Sequence, residues 1–102
     1  MRVVALTTDL MDRSRITAAV DGVQFARDPS GCAGADVVVI DLARGSALVA
    51  AVRAAAPDAR IVAFGPHVDT DVLDQASRDG ADTVLPRSRF FQDPAAALAH
   101  HL

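Results

Sequence analysis

Ala35-Asp36-Val37-Val38-Val39-Ile40-Asp41-Leu42 is the stretch that decides the fold of this chain. Its centre is four consecutive β-branched residues, whose stiff side chains suit the pleated surface of a strand. The run has no polar alternation, so the strand it forms is covered on both faces, as in a parallel sheet. Asp41 closes it at the strand's carboxyl end.

Working outward, Val3-Val4-Ala5-Leu6 and Ile61-Val62-Ala63-Phe64 repeat the same apolar pattern. Thr83-Val84-Leu85 is shorter, and Val23-Gln24-Phe25-Ala26 alternates like a half-covered edge strand. Helical spacing fills the gaps. Near 10–20, Leu10, Ile16, Ala19 and Val20 fall on one side, with Asp9 as a cap. Leu48, Val49, Val52 and Ala56 form a second stripe, capped by Ser46 and ended by Pro57. A third helix runs near 69–79, from Asp69-Thr70-Asp71 to Gly80, with Val72, Leu73 and Ala76 inward. The last starts at Asp93-Pro94 and carries Leu98 and Leu102.

Strands alternating with helices predict a parallel sheet with right-handed crossovers and helices on both faces. The fold expected is α/β: a flavodoxin-like three-layer sandwich with a five-stranded parallel sheet of order 2-1-3-4-5, in a single domain spanning 1–102. One connection departs from that pattern. Asp28-Pro29-Ser30-Gly31-Cys32-Ala33-Gly34-Ala35 is rich in turn residues, and eight residues reach only about 27 Å fully extended. The second helix is therefore expected to be absent or one turn long.

Composition narrows the function. The ten cations are all arginine and the thirteen carboxylates all aspartate, for a net charge of -3. Dispersed arginines on a mildly acidic chain form no basic stripe for nucleic acid, and a solvated arginine surface is expected. No apolar run is long enough to span a bilayer, and the first residues lack the zones of a signal peptide. The expected location is cytoplasmic, without membrane contact. Cys32, the single cysteine, reads as a buried thiol.

In a sheet of this order, chemistry gathers beyond the carboxyl ends of the strands. These ends deliver Thr7, Thr8 and Asp9; then Asp41; then Gly65, Pro66 and His67; then Pro86, Arg87, Ser88 and Arg89. Asp9 and Asp41, from adjacent strands, are candidate ligands for a hard cation such as magnesium. His67, His100 and His101 have no acid or metal partner in the pattern and read as surface groups. Neither Thr7, Thr8 nor Ser88 sits in a recognisable phosphate loop or nucleophile motif, so no enzymatic activity is expected.

With the acid-bearing turn after the first strand, the run 35–42, and the Gly80-Ala81-Asp82 turn before the fifth strand, the chain resembles the receiver domains of two-component response regulators over nearly its whole length. The resemblance implies phosphoryl transfer to Asp41 in two-component signalling, with a metal-binding acid pair after strand one, a hydroxyl residue after strand four and a lysine after strand five. The sequence departs from that pattern. The acid pair falls on Thr8 and Asp9, or after a one-residue slip on Thr7 and Thr8; the hydroxyl position is Gly65; the lysine position is Arg87. The aromatic switch position is Val84. Arginine keeps the charge, but its planar head does not reproduce a compact ammonium.

The reading adopted is a stand-alone receiver-like module, a pseudo-receiver that requires no cofactor and acts by docking to a protein partner. A histidine kinase, an effector or a second copy would be that partner. The resemblance points to residues 69–102 as the docking surface, and of Phe90 and Phe91 one is expected in the core and the other facing a neighbour. Asp41 then serves as structural glue, pairing with Arg87 or accepting backbone N–H bonds. The alternatives are a working phosphoacceptor, with Asp41 modified in the presence of magnesium and Arg87 contacting the phosphoryl group, and a small-ligand-binding or enzymatic flavodoxin-like domain.

Overall fold

The computed structural model describes residues 1–45, 47–66 and 70–99. The expected Ser46 cap, the helix start at Asp69, and His67, His100, His101 and Leu102 lie outside the described residues. Five strands form one sheet: β1 (Val3–Leu6), β2 (Gln24–Phe25), β3 (Val37–Asp41), β4 (Arg60–Gly65) and β5 (Thr83–Pro86). Their order is β2-β1-β3-β4-β5 and every pairing is parallel, as expected.

The two-residue period of a strand splits the apolar runs between two cores. Val4, Leu6, Val38, Ile40, Ile61 and Ala63 face one side, where Val49 and Val52 of α2 (Ala47–Ala55) and Ala76 of α3 (Thr70–Arg78) cover them. Val3, Ala5, Val37, Val39, Val62 and Phe64 face the other, under Ile16 of α1 (Leu10–Ala19), Phe90 of α4 (Arg87–Gln92) and Leu98 of α5 (Pro94–Ala99). Covering on both faces is why these strands carry no polar alternation. The shortened connection is one turn of 3-10 helix, Pro29–Cys32, capped by Asp28 and holding the buried Cys32. Gly80 ends α3 at φ 116°, a conformation that only glycine adopts without strain.

Three expectations are corrected. Leu10 is 76% exposed, and the inward face of α1 is carried by Asp12 and Ile16, four residues apart. The sequence reading places no helix between the fifth strand and Asp93-Pro94, but Arg87–Gln92 forms α4, which has no side-chain cap. Packing makes it helical: Phe90 stacks on Phe64 at 4.7 Å between ring centroids, and Phe91 meets both rings edge-on at 5.1 and 4.9 Å. Phe91 therefore turns into its own domain rather than toward a neighbour.

The third correction concerns the arginines, several of which fasten the amino end of the sheet instead of forming a solvated surface. Arg53 donates to the carbonyls of Pro57, Ala59 and Gly80 and pairs with Asp82 at 2.8 Å. Arg60 donates to the Leu98 carbonyl and to Thr83 Oγ1, tying α5 to the sheet. Arg2 donates to the carbonyls of Gly31 and Ala33 and to Gln24. Two aspartates complete the set: Asp36 accepts from the Arg2 amide and Asp82 from the Ile61 amide.

Candidate functional site

The carboxyl ends of β1 and β3 lie side by side, since Leu6 pairs with Ile40, and this sets Thr7 against Asp41. Both are buried. The Thr7 hydroxyl donates to Asp41 Oδ2 at 3.2 Å, and the Ala43 amide donates to Asp41 Oδ1 at 2.9 Å, so Asp41 caps the 3-10 turn Leu42–Arg44. Asp9 does the same for α1, accepting from the Asp12 amide at 3.0 Å. A strand that ends where a helical turn begins exposes free N–H groups, and aspartate is among the side chains best suited to accept from them. The expected backbone bonds of Asp41 are present.

The expected pairing of Asp41 with Arg87 is not. Arg87, the first residue of α4, donates instead to Asp12 Oδ1 at 2.5 Å. Its guanidinium also lies 5.1 Å from the Phe91 ring centroid and 5.5 Å from that of Phe64, within cation–π range. The hydrogen bond to Asp12 raises the Arg87 pKa above its ordinary value; burial opposes this, and the fields of Asp12, Asp41 and Asp9 add to it. Arg87 thus sits in the field of three carboxylates but bonds one of them.

Asp12 is the residue the sequence reading missed. Its side chain is 2% exposed, and its Oδ2 is buried with no hydrogen-bond partner among the described residues. One signal was available: position 12 lies four residues before Ile16, on the inward face of the same helix. A buried carboxylate there requires a counter-charge.

Gly65, at the hydroxyl position, borders a space that the chain fills itself. A Cβ placed on it would stand 3.2 Å from Leu42 Cβ and Cδ1 and 3.4 Å from Leu73 Cδ2. A threonine or serine at this position would press its Cβ against both leucines, which would have to give by a few tenths of an ångström to admit it. Val84 is half-buried in β5 and offers no ring to rotate.

The donor set does not fit a divalent cation. Asp9 and Asp41 each commit an oxygen to a backbone amide, Asp12 is held by Arg87, and no group of three or more His, Cys, Asp or Glu side chains among the described residues is arranged to hold a metal ion. No described helix is long and apolar enough to cross a membrane.

No family model matches the sequence, and no curated protein does. Solved structures do match. A response regulator from Burkholderia pseudomallei, whose crystal structure carries a phosphorylated aspartate, a calcium ion and citrate, superposes with a TM-score of 0.79 at 21% identity, over 95% of this chain and 65% of that one. This chain thus spans less than two thirds of the Burkholderia protein. The receiver domain of an HD domain-containing protein from Pseudomonas fluorescens Pf-5 gives 0.77 at 16% identity, over 95% and 90% of the two chains. A response regulator receiver domain from Clostridium thermocellum gives 0.74 at 18%, over 95% and 90%. With its parallel sheet in the order β2-β1-β3-β4-β5 and helices on both faces, this chain has the fold of response regulator receiver domains.

Proposed function

We propose that this chain is a receiver-fold signalling module that works by docking to a protein partner, with a degenerate phosphorylation site and no enzymatic activity of its own. The observation that carries this reading is the leucine wall at Gly65. Phosphoryl transfer depends on groups positioned to stabilise charge, and the position that would offer a hydroxyl to a phosphoryl oxygen has no side chain and is crowded by Leu42 and Leu73. Two further features support it: Arg87 is committed to Asp12, and both oxygens of Asp41 accept hydrogen bonds from within the chain.

The test is to add magnesium and beryllofluoride, a phosphoryl mimic, to isotope-labelled protein and follow the amides around Asp41. The expected result is no saturable shift, together with a mass by light scattering that rises with concentration or on addition of a partner. Saturable shifts at Asp41 and Ala43 would reject the degenerate-site reading in favour of a working phosphoacceptor, the state that the Burkholderia structure displays. An organic molecule retained in the strand-end cleft through purification would favour the ligand-binding alternative.

A further inference from the structure

We propose that Arg87 is a tethered counter-ion that stands where a divalent cation would be needed among the carboxylates at the head of the sheet, so that the domain holds its docking form without metal. This deepens the docking reading and rests on it.

The argument starts from Asp12. At 2% exposure its carboxylate has lost almost all contact with water, and one of its oxygens has no hydrogen-bond partner among the described residues. A charge so withdrawn is tolerated only beside an opposite one. Arg87 supplies that charge at 2.5 Å from Oδ1, reaching across from α4 to α1. The faces of Phe64 and Phe91, 5.5 and 5.1 Å away, give the guanidinium a second support.

The neighbouring acids do not compete for this cation by direct contact. Asp9 is turned to the first turn of α1 and Asp41 to Thr7 and Ala43. Their negative fields still reach Arg87 and raise its pKa, so the guanidinium balances more charge than the carboxylate it touches. A bound ion can dissociate or be removed by a chelator, whereas a cation fixed to the chain can do neither. Replacing it by a neutral side chain takes the counter-charge from the buried Asp12 carboxylate and removes the guanidinium donor of its Oδ1, and a hard cation can then supply the missing charge, since one or two carboxylates plus water suffice for it.

The experiment uses manganese alone, with no phosphoryl mimic, on isotope-labelled wild-type protein and on Arg87→Gln. In the wild type the amides of Asp9, Asp12 and Asp41 should stay sharp through a millimolar titration, and neither magnesium nor a chelator should move the melting temperature. In Arg87→Gln the same amides should broaden saturably, and magnesium should raise the melting temperature. Saturable broadening in the wild type overturns the proposal, as does an Arg87→Gln protein whose amides remain sharp. If the variant does not fold in metal-free buffer, refolding on addition of magnesium supports the proposal and failure to refold overturns it. Metal binding by the wild type without a beryllofluoride response would sink the counter-ion while leaving the docking reading intact.

Discussion

The two ends of the sheet use the same residue types, arginine and aspartate, in opposite ways. At the amino end Arg2, Arg53 and Arg60 donate mainly to backbone carbonyls, and Asp36 and Asp82 accept from the backbone amides of Arg2 and Ile61. Their guanidiniums satisfy loop groups that secondary structure leaves over. At the carboxyl end the arginine bonds a carboxylate, and a buried carboxylate oxygen goes without a partner. The first end is built for stability. The second keeps an acidic head whose carboxylates bond side chains and amides of the chain itself.

The largest effect that would test this contrast is expected at the amino end. Arg53→Ala removes donors from three carbonyls and an ion pair at once. The expected cost is roughly 2–4 kcal/mol, or a fall in melting temperature on the order of 10–20 °C. Arg53→Lys should recover less than half of that, since one ammonium cannot span carbonyls from two loops. A loss below about 1 kcal/mol, typical of an exposed salt bridge, would show that this end is a solvated surface after all.

At the carboxyl end, Gly65→Thr should cost about 1–2 kcal/mol through overpacking against Leu42 and Leu73. It should also leave beryllofluoride binding undetectable by amide shifts, because the leucines crowd the restored hydroxyl and Arg87 stays committed to Asp12. Binding gained by this single change would show that the leucine wall yields, and that one residue separates this site from a working one.

The smallest effect belongs to Cys32, the buried last residue of the 3-10 turn. Burial pushes its thiol pKa up, ahead of a weaker opposing influence from Arg2 and a supporting one from Asp28. A raised folded pKa means that the unfolded chain releases this proton first. Stability from this group is thus complete below the ordinary thiol value of about 8.5 and declines as pH rises past it toward the folded value. Denaturant midpoints measured across that window should fall slightly in the wild type and remain flat in Cys32→Ala relative to it. A thiol that reacts with a disulfide reagent at neutral pH as fast as a free cysteine would contradict the burial.

Much of the fold was legible because its signals are local. The runs 3–6, 37–40 and 61–64 each need only neighbouring residues to declare a covered strand, and Asp9, Asp93 and Gly80 mark helix ends within one turn. The too-short stretch 28–35 likewise announced its missing helix by its length. Helix α4 was hidden because its six residues have weak local preference and become helical by packing Phe90 and Phe91 against Phe64, which lies on another strand.

The site divides along the same line. The amino-acid order by itself placed Asp41 at the end of a buried strand, Asp9 at a helix cap and Arg87 beyond the fifth strand. Only the tertiary structure decided that Arg87 bonds Asp12, seventy-five residues away, rather than Asp41. It alone closed Gly65 with leucines from two other segments and spent three arginines on the opposite end of the sheet. Periodicity and capping are set by residues a turn apart, while the choice of partner for a charge depends on which distant side chains the folded sheet brings within reach.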